Sequence, residues 1–221
     1  MLDFSPFILT FKLALITTVI LFVLSVPLSY WLAHSQSKIK PFIEAVVSLP
    51  LVLPPTVLGF YLLISFSPQN GIGLFFKDTL GIELVFSFTG VVIGSVIYSL
   101  PFMVQPLQSG FKSLPKSLTE ASYVLGKSKI ETLFKVHLPN IKQSIITAIV
   151  LTFAHTVGEF GVVLMTGGNI PNKTKVISIA IYDEVESLNY NNAHIYSAIL
   201  LLTTFFVLLL VYWRKFKMEL K

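Results

Sequence analysis

The chain has 221 residues, of which 54% are hydrophobic and 12% charged, with a formal net charge of +5. Soluble domains carry about 25% charged residues, so most of this surface must face something other than water. The absence of cysteine excludes disulfides and thiolate metal sites, and His34, His137, His155 and His194 are too scattered in sequence for a ligand cluster.

A helix needs about 20 apolar residues to cross the hydrocarbon layer of a membrane. Five segments qualify: 7–33, 42–66, 86–104, 145–165 and 195–213. Backbone polar groups cannot stay unpaired in lipid, so these runs are expected to be helices. The predicted fold class is an all-α integral membrane protein, with one transmembrane domain over residues 1–221. The start, Met1-Leu2-Asp3, lacks a basic n-region, and no small-x-small cleavage site follows the first apolar run. That run is therefore expected to remain as a span.

The second span carries Pro50, Pro54 and Pro55, followed by Thr56 and Gly59. Each proline removes a backbone donor, and in a membrane such a break is tolerated where it is buried in protein or lines a cavity. An outer half-helix starting near Pro54 would point its positive dipole end at the bilayer middle, a geometry that suits an anion. The other reading is a proline kink used only for packing. In the third span, Gly90-Val91-Val92-Ile93-Gly94 predicts close helix packing.

The connector 109–142 is too long for a turn. Ser113 is expected to cap a helix over 116–125, with Pro115 in its first turn. Leu118, Ala121, Val124 and Leu125 share one side of that helix, and Gly126 ends it. A second amphipathic stretch covers 128–137, and Pro139 breaks the chain before span four. Span four carries Glu159 within Gly158-Glu159-Phe160-Gly161. A charge inside a span is expensive and marks a functional site by default. A lone carboxylate does not bind an anion, so Glu159 is expected to hold a helix break or an outer gate together by hydrogen bonds. A purely structural carboxylate is the alternative.

The loops set the orientation. Lys38, Lys40, Lys112, Lys116, Lys127, Lys129, Lys135, Lys142, Arg214, Lys215, Lys217 and Lys221 fall on one side, and Lys12, Lys77, Lys173 and Lys175 on the other. The positive-inside rule puts the first group in the cytoplasm, with the N-terminus outside and the C-terminus inside. The positive charge is thus explained by a membrane, and nucleic acid is not an expected partner.

Glu120-Ala121-Ser122, three residues, Gly126, nine residues, then Val136-His137-Leu138-Pro139 resembles the EAA motif of ABC importer permeases. The family pattern is Glu-Ala-Ala, three residues, Gly, nine residues, Ile, any residue, Leu-Pro. This chain has Ser122 for Ala and Val136 for Ile. The resemblance implies a coupling helix, with Glu120, Ala121, Ser122, Gly126, Leu138 and Pro139 at the docking site for an ATPase subunit. The run from Leu49 to Gly59 is similar to the second-span signature of molybdate permeases. Gly158 to Gly161, with Gly168-Asn169-Ile170-Pro171 and Thr174, is similar to their fourth-span and outer-loop signature, although the family often has Gly where Asn172 stands. Sulfate and tungstate permeases share parts of these patterns.

The resemblance implies an ABC type I importer permease of about five spans. It would act as a homodimer with two ATPase subunits and an extracytoplasmic oxyanion-binding protein. Pro50, Pro54, Pro55, Thr56, Gly59, Gly158, Glu159, Phe160 and Gly161 would form the pathway or gate. The chain has no Gly-x-x-x-x-Gly-Lys-Ser/Thr loop, so it is not expected to bind ATP, to need a cofactor or to be an enzyme. A secondary carrier or channel would give the motif from Glu120 to Pro139 no task, and a receptor would not explain a broken span.

Overall fold

The computed structural model describes residues 2–219, with side chains up to residue 213. The tail cations Arg214, Lys215, Lys217 and Lys221 lie outside the residues whose side chains are described. In chain order the helices are α1 (Ser5–His34), α2 (Lys40–Val52), α3 (Pro55–Phe66), α4 (Gly71–Leu80), α5 (Phe88–Ser113), α6 (Lys116–Val124) and α7 (Lys129–Thr132). A π-helical turn, Leu133–His137, leads into α8 (Leu138–Asn140), followed by α9 (Lys142–Val157), α10 (Gly161–Gly167), α11 (Ile177–Glu186) and α12 (Tyr190–Glu219). Among the described residues every regular element is helical.

α1, α5 and Tyr190–Trp213 of α12 are each long and apolar enough to cross a membrane alone. Two further candidates are bent pairs: α2 and α3 meet at 113°, α9 and α10 at 58°. α2 has 13 residues and α3 has 12. At 1.5 Å per residue each is about 20 Å long, short of the roughly 30 Å hydrocarbon core. Segment 42–66 is therefore two half-length helices, with α3 turned back from the direction of α2.

The break has a local cause. A residue before proline is pushed out of the helical region, and both Leu53 (ψ 135°) and Pro54 (ψ 137°) precede a proline. The Pro54 carbonyl then accepts from the N–H groups of Val57 at 2.9 Å and Leu58 at 3.3 Å, which starts α3. Pro50 does not break the chain. It lies buried inside a continuous α2.

α5 packs against α1, α2, α3, α9 and α10. The α1 face includes the buried small residues Thr10, Ala14, Thr17, Ser25 and Ser29, spaced three to four apart so that they lie on one side. Small side chains let helices approach closely, and the Ser29 hydroxyl donates across to the Val104 carbonyl at 3.1 Å. Thr10 and Thr18 return their hydroxyl protons to the carbonyls of Pro6 and Ala14 at 2.7 Å each. These groups therefore stay satisfied away from water. The pair Gly90 and Gly94 divides its work. A Cβ on Gly94 would lie 3.1 Å from Val162 Cγ1 of α10, whereas Gly90 faces the Leu84 carbonyl of the lead-in to its own helix. Only Gly94 serves helix–helix packing.

The loop from α10 to α11 is built on three left-handed residues, Gly168, Asn169 and Asn172. Asparagine tolerates this region better than most side chains, which explains how Asn172 can replace the family's glycine. Thr174 Oγ1 donates to the Gly167 carbonyl at 2.6 Å and accepts from the Ile170 N–H at 3.0 Å. The Asn169 amide donates to both Asp183 oxygens at 3.0 Å.

Candidate functional site

The breaks of the two bent pairs fall together. Gly161 opens α10 so close to the start of α3 that a Cβ on it would sit 2.8 Å from Pro55 Cβ and 3.5 Å from the Thr56 nitrogen. Around this junction Pro55, Thr56, Tyr98, Ala154, His155, Gly158, Glu159, Phe160 and Gly161 line a cleft of about 500 Å³. Of the pathway residues expected from sequence, Pro55, Thr56, Gly158, Glu159, Phe160 and Gly161 meet here. Pro54 caps α3 beside it. Pro50 and Gly59 do not line the cleft. Gly59 is a packing residue, whose added Cβ would lie 2.9 Å from Met165 Cβ.

Glu159 is 3% exposed, and neither carboxylate oxygen has a hydrogen-bond partner among the described residues. The expectation that this carboxylate ties the helix break together is corrected. The tie is made by its backbone, since the Glu159 carbonyl accepts from the Ser178 hydroxyl at 2.6 Å and its N–H reaches the Thr156 carbonyl at 3.3 Å.

Tyr98 and His155 were missed by sequence reasoning. The His155 ring lies 4.8 Å from that of Tyr98 and 3.9 Å from that of Phe102, and its buried Nε2 has no partner among the described residues. The signal was present: His155 precedes Glu159 by four residues, the spacing that brings side chains to one helical face. Comparing it only with the other histidines hid that pairing.

The connector between α5 and α9 is a small folded unit. Ser113 does not cap α6. It ends α5 and donates to the Gly110 carbonyl at 2.8 Å, and Pro115 holds the capping position. Gly126, at φ +74°, ends α6. Its N–H reaches the Tyr123 carbonyl at 2.9 Å and the next N–H, of Lys127, reaches Ser122 at 3.1 Å, the paired bonds of a Schellman closure. Ser128 and Glu131 then form a capping box. Hydrogen bonds from Lys135 and from the Ser128 N–H, with Lys127 nearby, hold the exposed Glu131 carboxyl down to about 2.

Two buried contacts fasten this unit. Thr132 donates its hydroxyl proton to the Ser128 carbonyl at 2.9 Å, so the 2.8 Å contact between Ser122 and Thr132 has Ser122 as donor. Ser122, the departure from alanine in the motif, is thus bonded rather than merely small. His137, at the motif's free position, is fully buried, with Nε2 2.9 Å from the Thr119 hydroxyl. Burial and the neighbouring His34 lower its pKa, which keeps it neutral. Pro139 does not break the chain. It sits in the first turn of α8, and the interruption falls at Ile141.

The unit leaves apolar groups uncovered. Val124 is 87% exposed, Leu125 77%, Ile130 70% and Phe134 61%. Ala121 and Glu120 are exposed beside them, and none of the ion pairs among the described residues uses Glu120. Leu138 packs inward on the cluster around Phe111 and Ile141. A patch of this kind outside the membrane marks a surface for a partner.

Residues 25–215 match the family described as binding-protein-dependent transport system inner membrane component. That stretch holds both breaks, the cleft and the connector. The chain belongs to this family. As an inner membrane component of such a transport system it is a permease and not an enzyme, and the ATPase is a separate subunit.

Relatives of the permease cover nearly its full length. Molybdenum transport system permease protein ModB of Azotobacter vinelandii is 48% identical over 97% of this chain and 96% of its own. Probable transport system permease protein NifC of Clostridium pasteurianum is 36% identical over 95% of this chain and 73% of its own. Probable sulfate transport system permease protein cysT of Chlorella vulgaris is 33% identical, with 94% and 77% covered.

Proposed function

We propose that this permease carries molybdate inward through an ATP-driven importer, as a homodimer on two ATPase subunits, with an extracytoplasmic binding protein delivering the oxyanion. The similarity to ModB over almost the whole of both chains carries the substrate assignment. The geometry supports the mechanism. α9 has 16 residues, about 24 Å of helix, and runs from the connector at Ile141 to the cleft at Gly158. α5 runs beside it, and the Ser99 hydroxyl meets Thr156 across the pair at 3.1 Å. Glu120, Ala121, Ser122, Gly126, Leu138 and Pro139 form the coupling unit in this reading. The exposed Val124, Leu125, Ile130 and Phe134 enter the ATPase cleft, and movement of that unit is delivered along α9 to the joint at Glu159.

The substrate is tested by tracer uptake into vesicles holding permease, ATPase and binding protein. Tungstate, nearly equal to molybdate in size and charge, is expected to compete well, and sulfate poorly. A pore that passes molybdate does not readily refuse the smaller sulfate, so discrimination rests on buried donors of the binding protein that enclose the oxyanion. If sulfate competes as well as tungstate, the permease serves sulfate, the reading that the cysT relatives favour.

In the proposed orientation the N-terminus is outside and the C-terminus cytoplasmic. Lys173, exposed in the α10–α11 loop, and Lys129, exposed in the connector, are suitable probe positions in a chain without native cysteine. Lys173→Cys is expected to react with an impermeant thiol reagent from outside, and Lys129→Cys only after the membrane is opened. The opposite pattern inverts the orientation.

A further inference from the structure

The cleft where the two breaks meet contains one acid and no base. Thr56, Tyr98 and His155 line it together with Glu159, and none of its lining residues is Lys or Arg. Glu159 is almost fully buried with both oxygens unpartnered, and Ser95, buried on α5 one turn before Tyr98, also has an unpartnered hydroxyl. Leaving a buried polar atom unpaired is costly, so a carboxylate kept only for structure would have its bonds made. This one instead stands on the two-residue joint between α9 and α10, next to the N-terminus of the 12-residue α3.

A helix N-terminus attracts anions, and an anion drawn to that of α3 would meet the charge of Glu159 at short range. No cation of the cleft offsets that charge, and repulsion is strong where the surroundings are poorly polarisable. We infer that Glu159 is the charge barrier of the pathway: its carboxylate bars the oxyanion from the cleft until movement of the α9–α10 joint carries it aside. Once it has moved, the Thr56 and Tyr98 hydroxyls and the His155 ring remain as groups able to donate hydrogen bonds to the anion. This rests on the oxyanion-permease reading and adds the residue that holds the resting pathway shut.

The test is passive efflux without ATP from sealed vesicles that contain the assembled transporter and are loaded with labelled tungstate and labelled glycerol. Glu159→Gln is expected to raise tungstate efflux by roughly tenfold or more over wild type and to leave glycerol efflux unchanged. Glu159→Asp, which keeps the charge, is expected to stay at the wild-type level. Glu159→Cys gives a second route: it leaks, a thiol reagent bearing a sulfonate closes it, and a neutral reagent of the same size does not. Tungstate efflux at the wild-type level in both Glu159→Gln and Glu159→Cys overturns the barrier. So does an equal rise for glycerol and tungstate, which makes Glu159 a plug by shape, or an equal leak in Glu159→Asp. ATP-driven uptake by the wild-type complex in the same preparation tests the importer reading separately, because passive efflux needs no ATPase turnover.

Discussion

Gly161→Val is expected to reduce ATP-driven uptake to below about a tenth of wild type while the protein still inserts in the membrane. The Cβ alone would lie 2.8 Å from Pro55 Cβ and 3.4 Å from the Pro55 carbonyl carbon, closer than carbon atoms tolerate. Two further methyl groups enlarge the conflict, and a proline backbone cannot yield by rotating a side chain. α3 and α10 must then separate at the junction that forms the cleft. Overpacking of this kind costs roughly 1–3 kcal/mol, and here it falls on the pathway itself. Gly158→Ala is the control. Its Cβ would meet nothing nearer than the Ala154 carbonyl at 3.7 Å, an ordinary contact, so uptake is expected to remain above half. Uptake in vesicles, with the dimer followed by size-exclusion chromatography, separates the two. Equal loss in both variants would show that close approach at Gly161 is not the cause.

The second large effect is expected at Gly126. Nothing lies within 4 Å of the position a Cβ would take, and the backbone is left-handed at φ +74°. Space is therefore no obstacle, and the whole cost is conformational. An L-residue in this region costs about 1–2 kcal/mol, a β-branched one is a marked outlier there, and asparagine is tolerated. Gly126→Val is expected to undo the closure at the end of α6, to release the ATPase from the purified complex and to abolish uptake. Gly126→Asn is expected to keep both above half of wild type. Co-purification of the ATPase and tracer uptake, measured for both variants, decide the matter. An asparagine variant as inactive as the valine one would mean that the backbone conformation is not what matters at this site.

These two glycines mark how far the sequence could be read. The end of α6 at Gly126 and the break at Pro54-Pro55 are legible because each has a local cause, a residue that permits φ > 0 and a pair of residues forced to be extended. The direction taken after the break is not local. The 113° turn of α3 depends on Gly59, Gly94 and Gly161 accepting the close approach of other helices, and a glycine does not announce what will approach it. Gly90 shows the converse, since its spacing from Gly94 suggested a helix partner and its neighbour is the Leu84 carbonyl. Glu159 stood out as a charge in an apolar run, but its lack of partners could not be seen without the fold. Ser122 was read by volume, and its hydroxyl proved to be the relevant property.

The π-helical turn at Leu133–His137 gives the coupling motif a fixed phase. A π turn holds one residue more than an α turn, and His137 is fully buried within it. Removing one residue there would let the chain wind as α-helix, but it would rotate everything before it by about 100° relative to α9. Val124, Leu125 and Ile130 would then face a different direction while every one of them remained in the sequence. The nine residues between Gly126 and Val136 therefore behave as an angular setting rather than as slack, and a change of length there can disconnect the permease from its motor as completely as the loss of a docking residue.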